Sequence, residues 1–294
     1  MKLAFTVGYN GRNFSGSQAQ PGKRTVEGEF IEACVNLGLF TNEKEAHFLV
    51  SGRTDKGVSA RKQIVSITTE QPKKAIDALN FWLPNDIWCL GAAEVPSDFY
   101  PRYAVRSRTY RYYFPYAANI AEMDAAAQQF IGRHNFTRFS KMEKGRNPNR
   151  TILAAKVFAA QDGCPVFEIS ADSFLWNMVR GMAGFLAAVG IGVVESKIVS
   201  ELLTKPGNRM HPAPAEALIL WDTECNISFT PMKLPRETMR ILGRESAAAR
   251  AEMRVLEALM NEQPTNIWKR QLIREYPNLY KRENNRDVTE TCKN

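Results

Sequence analysis

Between Phe174 and Val194 the chain carries one charge, Arg180, in a run that is otherwise apolar or small apart from Asn177. The uninterrupted part, Gly181 to Val194, is too short to cross a bilayer and is broken by four glycines, so it predicts a buried helix and not a membrane span. Met178, Met182, Phe185 and Val189 recur at the 4, 3, 4 spacing of a core-facing stripe. A helix this apolar has to be covered by other elements, which makes the fold layered. Arg180 then requires a partner, because an unpaired charge beside so much core is costly.

The remainder of the chain supplies the covering layers. Leu3 to Tyr9 alternate apolar and polar as a strand does. Thr25 reads as an N-cap, and Phe30, Cys34 and Leu37 follow at helical spacing up to Gly38. A strand ends at Ser51, another runs from Gln63 to Thr68, a helix from about Pro72 to Leu83 and a strand from Ile87 to Val95. Thr109 to Phe114 is a strand with Tyr110, Tyr112 and Phe114 on one face and Arg111 and Tyr113 on the other. A helix near Glu122 to Ile131, strands near Thr151 to Ala160 and Val166 to Ala171, the apolar helix and a strand from Ala217 to Trp221 follow. Met239, Leu242, Ser246, Ala249, Met253, Leu256 and Met260 then keep a 3.5-residue repeat, which predicts an appended helix packing on the body. The order implies an α/β (α+β) chain of three parts, 1–105, 106–230 and a helical tail 231–294 whose end from about Lys281 is polar enough to be disordered.

Composition narrows the function. At 294 residues with 44% hydrophobic and 24% charged residues the chain is globular. The start, Met1 to Tyr9, lacks the apolar region of an export signal. Five scattered cysteines and three scattered histidines form no disulfide or ligand spacing, so free thiols in a reducing cytoplasm and no metal are expected. A net charge of +8 makes a polyanionic partner plausible. From Phe99 to Ala121 there is no acid, while Arg102, Arg106, Arg108 and Arg111 alternate with Tyr100, Tyr103, Tyr110, Tyr112 and Tyr113. Such interleaving suits phosphate contact and base stacking, although a solvated basic surface has the same composition.

Chemistry concentrates in Ser51 to Ala60, where Asp55 sits between Gly52 and Gly57 and among Arg53, Lys56, Arg61 and Lys62. The two glycines permit torsions that side chains forbid, and the cations favour an ionised carboxylate. Such a group serves as nucleophile or base. Asp-Lys-Gly is equally ordinary turn chemistry. RNA binding without catalysis, or phosphoryl transfer through an aspartyl-phosphate, would use parts of the same sequence. The latter normally needs Mg²⁺ and further carboxylates, whereas this loop offers cations.

Several separated motifs resemble one family, the tRNA pseudouridine synthases of the A type. They are Gly8 to Gly11 with Phe14, Gly16 and Gln18; Thr25 to Gly28; Gly52 to Val58; Leu83 to Ile87; Val95-Pro96 with Phe99, Arg102 and Ala104; Tyr110 to Tyr112; Asn135 to Thr137; Asn177 to Arg180; and Ala213 to Leu218. They occur in the family's order over roughly residues 3 to 225. The chain departs from the pattern at Asn10, Ser17 and Ser59, where Asp, Trp and His are usual.

The resemblance implies a pseudouridine synthase fold of two related halves, with a mixed, largely antiparallel sheet, helices on one side and a basic RNA-binding cleft. It implies an enzyme isomerising uridine to pseudouridine in the tRNA anticodon stem-loop at positions 38, 39 and 40, without a cofactor, as a cytoplasmic homodimer. Carried over residue by residue, Asp55 is the catalytic aspartate, Arg180 the arginine that salt-bridges it, and Tyr110 the tyrosine stacking on the target uracil. Leu218 packs beside that base, and Arg53 and Arg102 contact the RNA.

Overall fold

The computed structural model describes residues 1–42, 45–260, 262–277 and 279. In chain order its elements are β1 (Lys2–Tyr9), α1 (Val26–Asn36), β2 (Leu49–Val50), β3 (Ser59–Thr68), α2 (Pro72–Trp82), β4 (Ile87–Val95), α3 (Pro101–Ala104), β5 (Val105–Tyr113), α4 (Ile120–Gln128), β6 (Gly132–Asn135), β7 (Asn149–Ala159), β8 (Pro165–Ala171), α5 (Met178–Gly190), α6 (Val199–Thr204), β9 (Leu218–Cys225), β10 (Thr230–Pro231), α7 (Arg236–Leu259) and α8 (Pro264–Glu275). Cys292 and the polar end of the tail lie outside the described residues. No helix among the described residues is long and apolar enough to cross a membrane.

The elements form two compact units, one of Met1–Tyr110 with Ala215–Met253 and one of Arg111–Pro214 with the chain from Arg254. This grouping differs from a division at residues 105 and 230, and the reason is one strand pairing. β9 lies parallel to β3, with Ser59 opposite Ile219 and Ala60 opposite Leu220. A parallel partner needs a long crossover connection, and here the crossover contains Arg111–Pro214, so β9 returns to the N-terminal unit.

In the first unit the strand order is β10-β4-β1-β3-β9-β5, counting β5 up to Tyr110, with β2 on β3. β1 runs antiparallel to both β3 and β4. Because it is central, Leu3 to Tyr9 are all buried, where alternation in the sequence suggests one covered face. Thr6 is accommodated by donating its hydroxyl to the Gly91 carbonyl at 3.4 Å. α1 begins where Thr25 Oγ1 accepts from Gly28 N–H at 3.2 Å, an N-cap that satisfies one orphan donor. Its inward stripe places the Phe30 ring 6.1 Å from Phe5 and 5.5 Å from Phe48. Fully buried Phe30 is the kind of residue whose truncation costs about 3–5 kcal/mol.

In the second unit β8-β7-β6 form an antiparallel meander. α5 is the apolar helix, starting later than Phe174 because Asn177 takes a left-handed conformation at φ 61°. All its residues are buried except Arg180, which is half-buried. Phe185 packs on Phe130 and Phe139 with centroids 6.4 and 6.0 Å away. Tyr112 and Phe114 are buried and Tyr113 exposed, as the face assignment in β5 requires.

The tail behaves differently from the expectation of a helix packed along its seam. Burial in α7 is confined to its start, where Thr238 is buried and Ile241 and Leu242 half-buried, and Asn10 Nδ2 donates to Glu245 Oε2 at 3.0 Å. Farther on, Met253 and Leu256 are 50% and 54% exposed. Gly243, Ser246 and the alanines between them and Met253 offer little apolar area to bury. The sequence reading missed α8, which Pro264 opens at a position favourable to proline. α8 packs on the second unit through Leu272 and through Trp268, whose ring is 5.6 Å from Tyr116.

Candidate active site

The loop between β2 and β3 is both a turn and a mount for a carboxylate. The Asp55 carbonyl accepts from Val58 N–H at 3.1 Å, and Gly57, third in the turn, has φ +85°, the requirement of a type II turn at that position. A Cβ on Gly57 would also lie 3.1 Å from Glu216 Oε1. Gly52 departs from the expectation, since it is not among the positive-φ glycines, and a Cβ there would meet Arg108 Nε at an ordinary 3.5 Å.

Both neighbours of the turn are fixed by buried polar groups. Thr54 Oγ1 and Tyr9 Oη are 2.8 Å apart, Thr54 N–H donates to Ser17 Oγ at 2.8 Å, and Ser17 N–H donates to the Thr54 carbonyl at 3.1 Å. Burial pushes the Tyr9 hydroxyl up to about 12, against a smaller pull from Thr54 and Gln63, so it keeps its proton at neutral pH. Gln63 donates from Nε2 to the Gly52 carbonyl at 2.7 Å and accepts at Oε1 from the Ser51 hydroxyl. Arg108, 9% exposed, donates from Nη2 to the Ser51 carbonyl at 2.7 Å and the Arg102 carbonyl at 3.2 Å. On the far side Ser59 Oγ accepts from Gly11 N–H at 3.0 Å, and Gly11 approaches so closely that a Cβ would lie 2.2 Å from the Val58 carbonyl oxygen. Ser59 thus has a local structural task of its own.

Asp55 is half-buried on this mount, with Arg53 exposed beside it. Tyr110 is buried, and its hydroxyl is driven upward first by burial, then by Tyr9, with the Asp55 charge adding and Arg108 opposing. Asp55 and Tyr110 therefore share one locality. Leu218, also buried, immediately precedes Ile219, the register partner of Ser59, so the parallel pairing carries it to the same end of β3. Arg102 is exposed on α3. Arg180 lies in the second unit, where Nε donates to the Ala213 carbonyl at 2.7 Å and Nη1 to Asn177 Oδ1 at 3.2 Å.

Of the residues expected from sequence, Asp55, Arg53, Tyr110, Leu218 and Arg102 thus belong to the first unit and Arg180 to the second. The supporting set of Tyr9, Ser17, Thr54, Gln63 and Arg108 was not anticipated. Tyr9 and Thr54 fall inside motifs and Ser17 is a departure from one, but nothing local in the sequence joins their hydroxyls. A carboxylate beside an aromatic ring and an aliphatic side chain can engage the edge of a planar base held between them, with the mount preorganising the attack.

Comparisons with known proteins place the chain in a family. The sequence profile of a family described as tRNA pseudouridine synthase matches residues 126–225. A protein of Methanocorpusculum labreanum named tRNA pseudouridine synthase A is 60% identical over 96% of this chain and 100% of its own length. Proteins of the same name from Methanoculleus marisnigri and Thermococcus kodakarensis are 51% and 42% identical, over 83% and 76% of this chain and 90% and 85% of theirs. With relatives this similar over nearly its whole length, the chain belongs to the tRNA pseudouridine synthase A family, an isomerase of mixed α/β fold with a largely antiparallel sheet.

Proposed function

We propose that the chain isomerises uridine to pseudouridine in the anticodon stem-loop of tRNA, at positions 38, 39 and 40, with Asp55 as the catalytic aspartate. The observation that carries this reading is Asp55, mounted next to the clamped Thr54 and near enough to Tyr110 for its charge to act on that hydroxyl, in a chain of this family. The reaction breaks the bond from uracil N1 to ribose C1′, turns the base and rejoins it through C5, whose proton is lost while N1 gains one. Asp55 acts by adding to C6 of the base, by adding to C1′ of the ribose, or by removing a ribose proton. A paired uridine is reached only by flipping it out of the stack, and Tyr110 with Leu218 would receive the ring. Arg53 and Arg102 would hold displaced RNA through its phosphates.

Arg180 carries over from the family motif as the arginine that balances the Asp55 carboxylate. Arg180→Ala also loses the bonds to the Ala213 carbonyl and Asn177, and should lose turnover beyond what its effect on folding explains. A folded variant with normal turnover would contradict that role. The proposal extends to a homodimer in the cytoplasm: the free buried thiols of Cys34 and Cys89 suit a reducing compartment, and sedimentation of the purified chain at micromolar concentration checks the dimer. The function itself is tested by mapping pseudouridine in tRNA from cells lacking the protein. Loss at 38, 39 and 40, restored by re-expression, is expected; unchanged modification there would refute the assignment.

A further inference from the structure

We propose that Tyr103, backed by Tyr100, is a stacking platform for an unpaired base of the substrate RNA other than the base that is isomerised. The inference rests on the reading of the substrate as RNA. Tyr103 is 83% exposed and Tyr100 41%, and their ring centroids are 5.0 Å apart at 37°. A tyrosine left this open gains almost nothing from burial, while its face remains available to another planar group. Arg102 and Arg106, both exposed, stand on either side in sequence, and no acid occurs from Phe99 to Ala121. Open aromatic faces with cations alongside are the chemistry of single-stranded nucleic-acid contact.

The platform is tied to the candidate active site. One nitrogen of Arg108 donates both to the Ser51 carbonyl, at the start of the Asp55 loop, and to the Arg102 carbonyl, one residue before Tyr103. From Ser51 to Asp55 the chain spans at most roughly 14 Å, and stacked nucleotides of one strand rise about 3.4 Å each. A strand with its target base at Asp55 can therefore set a base a few nucleotides away against Tyr103. Tyr110, being buried, serves the target alone.

The test uses stem-loop RNAs carrying 2-aminopurine at each position flanking the target in turn, mixed with the full chain. The wild type should quench fluorescence at one position. Tyr103→Ala should lose that quench and bind roughly 5- to 150-fold more weakly, with kcat at saturating RNA changed less than about twofold. Tyr103→Phe and Tyr103→Trp should restore both signals, which a merely structural role would not require. Unchanged affinity and quench in Tyr103→Ala would overturn the proposal. So would altered sedimentation with unaltered RNA binding, which would assign the surface to a protein partner. If the wild type neither binds nor turns over the stem-loop, the functional reading fails as well; if it does both and Tyr103→Ala matches it, only the stacking site fails.

Discussion

Asp55 is held by its neighbours: Thr54 is clamped by Tyr9 and Ser17, and Gly57 turns the chain at φ +85°. Gly57→Ala forces a side chain into a conformation costing about 1–3 kcal/mol and toward Glu216 Oε1. It should lower the chemical unfolding free energy by that amount and reduce turnover further than the stability loss explains. Turnover equal to wild type in the folded variant would contradict the turn's role in aiming the carboxylate. The turn was legible in sequence because Asp-Lys-Gly is local chemistry. The clamp was not, since Tyr9, Ser17 and Thr54 come from three separate segments and only the tertiary fold joins their hydroxyls. Arg108 escaped notice for a similar reason: it looked like one more surface cation among Arg102, Arg106 and Arg111, yet it is buried.

Among the elements, periodicity identified those with a strong stripe and misjudged those without one. α5 could be read directly because its spacing, its apolar content and its burial agree. α7 has the spacing but not the apolar area, so its seam beyond the first turns stays exposed. α8 was overlooked because five of its twelve residues are charged or Gln at the positions around Trp268 and Leu272, which dilutes the pattern. The contrast is measurable. Leu272→Ala should cost about 2–4 kcal/mol, as truncation in a packed site does. Leu256→Ala, on exposed α7, should stay within about 0.5 kcal/mol. Urea unfolding of the two variants checks this, and equal costs would contradict the packing described.

For the whole molecule, burial raises the hydroxyl pKa of Tyr9, Tyr110, Tyr116 and Tyr276. A folded-state value above the unfolded one near 10 means that the unfolded chain loses its proton first. Stability should therefore be level with respect to these groups below about pH 10 and fall as pH rises toward the value of about 12 reached by Tyr9. Each such group contributes a slope of about 1.4 kcal/mol per pH unit in that window. Urea midpoints at pH 8, 10 and 11 should show the decline above pH 10; a constant midpoint would contradict it. The family-level chemistry was legible from motifs scattered through the chain, while the return of β9 to the first unit needed the parallel pairing with β3, which no local pattern announces.

The assignment of catalysis to Asp55 is tested most directly by tritium release from C5 of uracil in tRNA. Wild type should release tritium to water as the base is rejoined through C5, and Asp55→Asn, folded and still binding tRNA, should release none above background. Sustained release by Asp55→Asn would mean that another group does the chemistry.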